Sequence, residues 1–261
     1  MAWAEINGIR LYYQAQGSGP ALVFAHGAGG NHLSWWQQMP EFAKHYRCVT
    51  FDHRAFGRTV DSPDQPGRRM FHEDLRELLD LLGIEKTAII AQSMGGRTTV
   101  GFALRNPGRV SAVVFAGTTG GAVSPHIRTL QEAHRESAIG RQSLAQRAFS
   151  PSLGDERPDL AYLYRQIGRM NPPRPKDFLA PIPGYIGSSA KRLGELQIPI
   201  LFLVGEEDTI TPAEIVKMSH EEVPGSQFDV IPGAGHSAYF EKADLWNERV
   251  MRFLLQAGCA P

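Results

Sequence analysis

The sequence predicts an α/β fold: a mostly parallel sheet with helices on both faces, interrupted by one helical insertion. Three observations lead there. Strand-like and helix-like segments alternate from residue 21 to 115 and again from 198 to 255. Most of the strand-like runs, such as Ala21-Leu-Val-Phe-Ala25, are continuously apolar, as strands buried on both faces must be. Between them, from about Gly120 to Leu193, the chain turns polar and Arg-rich. Pro151, Pro158, Pro172, Pro173, Pro175, Pro181 and Pro183 break that stretch, and no segment of it reads as a strand.

Taken in order, Ala2 to Ile6 and Ile9 to Gln16 alternate apolar and polar around Asn7-Gly8, a two-residue turn that tolerates positive φ. Ala21 to Ala25 is the first buried strand, and His26-Gly27-Ala28-Gly29-Gly30 follows it. The pattern predicts a helix over Trp35 to Phe42 and a strand over Tyr46 to Phe51. Phe71, Leu75, Leu78, Leu79 and Leu82 share one helical face, and Gly83 stops that helix. Thr87 to Ala91 reads as a strand, Gly95 to Arg105 as a helix and Val110 to Phe115 as a strand. Helical pieces are expected at Thr129 to Ile139 and Asp159 to Arg169. Beyond them come a strand at Ile198 to Val204, a helix at Ala213 to His220, a strand at Gln227 to Ile231 and an amphipathic helix at Ala243 to Leu255.

Composition narrows the function. With 261 residues, 42% hydrophobic, the chain is long enough for a sizeable core. Its 27 basic and 27 acidic residues cancel, so no overall field draws in nucleic acid or an anionic membrane. Cys48 and Cys259 read as two unrelated thiols. The start of the chain shows no basic segment followed by an apolar one, and no apolar run approaches the roughly 18 residues of a span. A cytoplasmic protein is expected.

Ala91-Gln92-Ser93-Met94-Gly95 is a short motif whose context gives it meaning: a strand ends at Ala91 and a helix begins near Gly95. So sharp a turn strains the serine backbone, exposes its hydroxyl and requires small residues two positions to either side. The bland alternative is a helix-capping serine. A nucleophilic serine needs a base held by a third group. His236, in Pro232-Gly-Ala-Gly-His236-Ser, follows the last strand. Asp208 lies just past the strand ending at Val204, with Glu206 and Glu207 as rivals. Phe115-Ala-Gly-Thr-Thr-Gly120 contains no carboxylate, which favours Asp208. Backbone N–H groups of Ala28 and Met94 are candidates to hold an oxyanion. The Gly-rich loop lacks G-x-G-x-x-G spacing and any Lys-Ser/Thr pair, so phosphate binding is not expected.

Together these motifs resemble the α/β-hydrolase fold family over nearly the whole chain. Asp52-His-Arg54-Ala-Phe-Gly57-Arg-Thr59 looks like that family's Asp-x-Arg-Gly-x-Gly-x-Ser loop, with Ala55 in place of a Gly. Ser93, Asp208 and His236 match the family's order of nucleophile, acid and base. The resemblance implies a core of residues 1–119 and 194–261 and a helical cap, or lid, of residues 120–193. It implies acyl transfer through an acyl-enzyme without metal or organic cofactor. Haloalkane dehalogenases and epoxide hydrolases are poor models, because position 93 is Ser and their nucleophile is Asp. Small carboxylesterases and enol-lactonases are the nearest types, so hydrolysis of a small ester or lactone is the expected activity. The alternatives are a C–C bond hydrolase of ring-cleavage products, a cofactor-free haloperoxidase or perhydrolase, and a non-hydrolytic ligand receptor. Expected partners are a small-molecule substrate and, as an open alternative, a second copy in a homodimer, with neither nucleic acid nor membrane. Arg128, Arg135, Arg165 and Arg169 are candidates to meet a substrate carboxylate, and one of Trp35 and Trp36 to line the pocket. The plainer alternatives are solvated charges and core packing.

Overall fold

The computed structural model describes residues 2–64, 66–121, 124–175, 177–178 and 190–260. Pro181 and Pro183, and the part of the expected cap at 179–189, lie outside them. The strands are β1 (Ala2–Ile6), β2 (Ile9–Gln16), β3 (Ala21–Ala25), β4 (Arg47–Phe51), β5 (Thr87–Gln92), β6 (Val110–Ala116), β7 (Ile200–Gly205) and β8 (Gln227–Ile231). They form one sheet in the order β1-β2-β4-β3-β5-β6-β7-β8. β2 is antiparallel to both neighbours, and the six strands from β4 to β8 are mutually parallel. At the β1–β2 turn Asn7 and Gly8 have φ of 44° and 74°, the paired positive values that a tight hairpin turn requires.

The helices are α1 (Met39–Phe42), α2 (Phe71–Leu81), α3 (Gly95–Arg105), α4 (Pro125–Glu136), α5 (Leu153–Glu156), α6 (Pro158–Arg169), α7 (Ala190–Glu195), α8 (Ala213–Glu221), α9 (Ala238–Glu241) and α10 (Ala243–Gln256). Leu75, Leu79, Val100, Phe102, Leu193 and Val216 bury one sheet face, from α2, α3, α7 and α8. Phe42, Trp246, Val250 and Phe253 bury the other, from α1 and α10. A doubly covered sheet explains why its inner strands are buried along their length: all six residues of β5 and of β7 are buried. Between β6 and β7 the described residues form α4 to α7 and turns, with no strand.

Two expected helices differ. In place of one helix from Trp35 to Phe42, a 3-10 turn at His32–Trp35 and the short α1 divide the segment. Asn31 caps the first with a reciprocal Asn31–Ser34 box, and Pro40 starts the second. The helix expected at 129–139 begins earlier, because Ser124 caps it and Pro125 occupies its first turn; it ends at Glu136.

The parallel register brings Ala25 beside Ala91 and Gln92 beside Ala116. Loops leaving β3, β5, β6, β7 and β8 therefore converge on one sheet edge, where open α/β sheets bind ligands. The loop after β4 buttresses it. Asp52, fully buried, accepts from the N–H groups of His32 (2.6 Å) and Arg58 (2.8 Å) and bonds His32 Nδ1 at 2.8 Å. Ala55 stands there at φ 65°, a left-handed conformation that penalises a Cβ. Ala55→Gly removes that strain and partly offsets the gain through a more flexible unfolded chain. The expected net effect is a stabilisation of about 0.5–1 kcal/mol. In thermal unfolding this reads as a rise of about 1–4 °C.

Candidate active site

Ser93 sits at the step from β5 to α3 with φ 50°, in the left-handed region. Its N–H donates to Ala116 O at 2.9 Å, which ties the turn to the neighbouring strand. A side chain on Gly95 would run into the carbonyl of Ala25, so the close approach of α3 to β3 needs the missing Cβ. A non-glycine residue held left-handed costs about 1–3 kcal/mol and persists only where its surroundings over-determine it.

His236 Nδ1 lies 2.8 Å from Asp208 Oδ2, and both side chains are buried. The other carboxylate oxygen, Oδ1, accepts from the N–H groups of Ile210 and Thr211, each at 2.8 Å. These bonds orient the acid toward the ring. The rivals stand elsewhere: Glu207 is exposed, and Glu206 accepts from Gly233 N at 2.9 Å. Gly117, at φ 59°, passes so close that a Cβ there would lie 3.2 Å from both Asp208 Oδ2 and His236 Nδ1.

The loop after β3 is pinned from below by His26. Its Nε2 accepts the backbone N–H of His53 at 3.0 Å, which leaves Nδ1 as the donor to Gly27 O at 2.8 Å. Burial lowers the pKa of His26 from 6.5 to about 4, and burial also holds neighbouring His53 neutral. The unfolded chain therefore binds protons between about pH 6.5 and 4 that the folded chain does not. Stability from His26 is fully present above pH 6.5 and is lost as pH falls through that window, by about 3 kcal/mol in all. Urea midpoints measured from pH 7 to 4.5 should fall, and His26→Gln should flatten that slope.

Ser93, His236 and Ala28 line one cavity of about 520 Å³. Met94, which follows Ser93, is buried against Phe56 and Phe71. From the segment between β6 and β7, Leu144, Phe149, Tyr164, Arg165, Arg169 and Arg174 also line it. Of the four candidate arginines, Arg165 and Arg169 reach this cavity. Arg128 is exposed and is not among its lining, and Arg135 pairs at 3.8 Å with Glu132 on the surface. Neither tryptophan lines it. Trp35 is fully buried against Phe24 and Tyr239, and Trp36 packs at the surface near Phe240. Cys48 and Cys259 are buried and unpaired, and burial pushes the Cys48 thiol up to about 12. No group of His, Cys, Asp or Glu among the described residues could hold a metal ion.

Sequence reasoning missed the parts that position these groups. Residues 147–150 brace both loops of the His–Asp pair. Arg147 Nη1 donates to Thr209 O at 2.9 Å, and Ser237 N donates to Ala148 O at 2.8 Å. Glu241 accepts from Gly235 N (2.9 Å) with one oxygen and from Ser150 N (3.0 Å) with the other. Asn31 Nδ2 donates to Ile167 O at 2.9 Å, joining the Gly-rich loop to α6. No local pattern marks these residues. Arg174 was also missed; its only signal was its place between Pro173 and Pro175, which restricts the backbone around it.

Comparison with known proteins finds relatives in sequence and in fold. A family model described as the alpha/beta hydrolase fold matches residues 20–138, and one described as TAP-like protein matches residues 186–260. A 2-hydroxy-6-oxononadienedioate/2-hydroxy-6-oxononatrienedioate hydrolase of Dechloromonas aromatica is 29% identical, over 94% of this chain and 91% of its own. Among solved structures, an N-acyl homoserine lactone degrading enzyme, Est816, superposes with a TM-score of 0.79 at 25% identity. The match covers 97% of this chain and 100% of that one. A thermophilic esterase from Thermogutta terrifontis gives 0.79 at 25% identity, over 98% of this chain and 97% of the esterase.

Proposed function

The chain belongs to the α/β-hydrolase fold family and is a hydrolase, and from that premise we propose that Ser93, His236 and Asp208 work as its nucleophile, base and orienting acid. One observation carries the proposal. A serine held at φ 50° shares a cavity with a histidine whose Nδ1 is bound to a buried carboxylate. Ser93 Oγ attacks the scissile carbonyl while His236 Nε2 takes its proton. Asp208 holds the tautomer that keeps Nε2 free and stabilises the imidazolium that forms. Ala28 and Met94 offer backbone N–H groups to the oxyanion, each such donor contributing about 2.7–4 kcal/mol. His236 then protonates the leaving group and activates water to release the acyl-enzyme. These steps call for no cofactor.

The substrate in this reading is a small ester or lactone. The residue 120–193 insertion acts as its cap, since Leu144, Phe149 and Tyr164 line the same cavity as Ser93. The solved lactone-degrading enzyme and esterase support that class. The dienedioate hydrolases favour a second reading, cleavage of a C–C bond in a ring-cleavage product by the same triad. The cytoplasmic location expected from the sequence belongs to the same proposal.

A fluorophosphonate probe tests the nucleophile without a choice of substrate. Modification confined to Ser93, and lost in His236→Ala, is the expected result; labelling elsewhere, or in spite of that substitution, overturns the assignment. Parallel turnover of 4-nitrophenyl butyrate and of a 2-hydroxy-6-oxo dienoic acid then separates the ester from the C–C reading.

A further inference from the structure

The cavity beside Ser93 is lined by three arginines, Arg165, Arg169 and Arg174, and by no Asp or Glu among the described residues. In a chain with 27 cationic and 27 anionic side chains that imbalance is local, and a concave wall of one sign favours an anion. The three are not equivalent. Arg165 and Arg169 are exposed on α6, whereas Arg174 is half-buried. Its Nη1 donates to Ala55 O at 3.0 Å, and its guanidinium lies 4.0 Å from the centroid of the Phe56 ring. These contacts fix the plane of the group. Neither supplies negative charge, and no carboxylate among the described residues pairs with Arg174. Arg54, fully buried, is by contrast held by both Asp74 and Asp61. A partly desolvated cation without a counter-ion is costly unless a ligand provides one.

We infer that Arg174 is the recognition point for a carboxylate carried by the substrate, remote from the scissile carbonyl, with Arg165 and Arg169 drawing the anion in from the rim. A planar guanidinium suits a bidentate carboxylate, and its orientation is already set by Ala55 and Phe56. The inference rests on the serine-hydrolase reading for the position of the reacting carbonyl, but the anion site can be measured without turnover.

The test compares 4-nitrophenyl hydrogen adipate with its uncharged counterpart, 4-nitrophenyl adipamate. Wild type should favour the acid, and Arg174→Gln should lower the acid-to-amide ratio of kcat/KM by about 30-fold or more. Most of that change should appear in KM, and Arg174→Lys should recover part of it. An acid-to-amide ratio near one in wild type, or one that Arg174→Gln leaves alone, overturns the inference. If neither ester turns over, the ester reading fails, and calorimetric titration of adipate into Ser93→Ala decides the anion site separately. Binding that is lost in the Ser93→Ala, Arg174→Gln double variant upholds it. Equal binding by both proteins, or none by either, refutes it.

Discussion

Ser93→Ala is expected to lower kcat on a small ester by about 10⁶-fold, the scale seen when the nucleophile of a cooperating triad is removed. The protein should stay folded. The bond that anchors residue 93 is made by its backbone N–H to Ala116 O, and alanine keeps it. Alanine at φ 50° is no more strained than serine there. His236→Ala should be about equally damaging, and the double variant scarcely worse, because base and nucleophile act as one unit. Asp208→Asn should cost about 10⁴-fold, since the amide can no longer hold the tautomer with Nε2 free. Initial rates with 4-nitrophenyl butyrate, beside thermal unfolding of each variant, check all four. Ser93→Ala with near wild-type turnover would remove Ser93 from the mechanism. A collapse in stability in the same variant would mean the turn is held by the hydroxyl.

The largest expected loss of stability belongs to Arg54. Its guanidinium, fully buried, donates to Asp74 through Nε (2.7 Å) and Nη2 (2.6 Å), and to Asp61 through Nη1 (3.0 Å). Nη2 also reaches Asn7 O at 3.2 Å, while Asn7 Nδ2 donates to Asp74 at 3.1 Å. The cluster therefore fastens the β1–β2 turn, the loop after β4 and α2 together. Arg54→Met leaves two nearly buried carboxylates without a counter-charge, and the expected cost is about 3–5 kcal/mol. Against a typical total of about 5–15 kcal/mol this is a severe loss. Removing the acids as well, in Arg54→Met with Asp74→Leu and Asp61→Asn, should return a good part of it, because much of the penalty is the stranded charge and not the missing bond. Urea titration of both variants checks this. A triple variant as unstable as the single one would show that the cluster acts by attraction, not by satisfying buried acids.

The two clusters differ in how legible they were. Ser93 could be read because its signal is local: a buried strand, one serine and a helix, with small residues required on both sides by the turn. Asp208 and His236 could be read because the first follows the fully buried β7 and the second the neighbouring edge strand β8, where parallel register brings loops to a common edge. The helix expected at 35–42 failed because Asn31 caps a 3-10 turn that takes up Trp35, and Pro40 starts a separate short helix. The arginines between β6 and β7 were the least legible. Arg135 and Arg165 look alike in sequence, both on amphipathic helices, and only tertiary packing puts Arg165 at the cavity and leaves Arg135 on the surface.

Local sequence was thus sufficient for the α/β alternation, the strained serine turn and the order of the three candidate catalytic residues. Each depends on neighbours within a few positions or on burial along one strand. The tertiary structure decided what surrounds them: the 147–150 brace, the Glu241 clamp and Arg174 beside Phe56. Those contacts join residues dozens of positions apart through backbone carbonyls, amides and ring faces. Every residue offers the same backbone groups, so composition and spacing hold no trace of which ones meet.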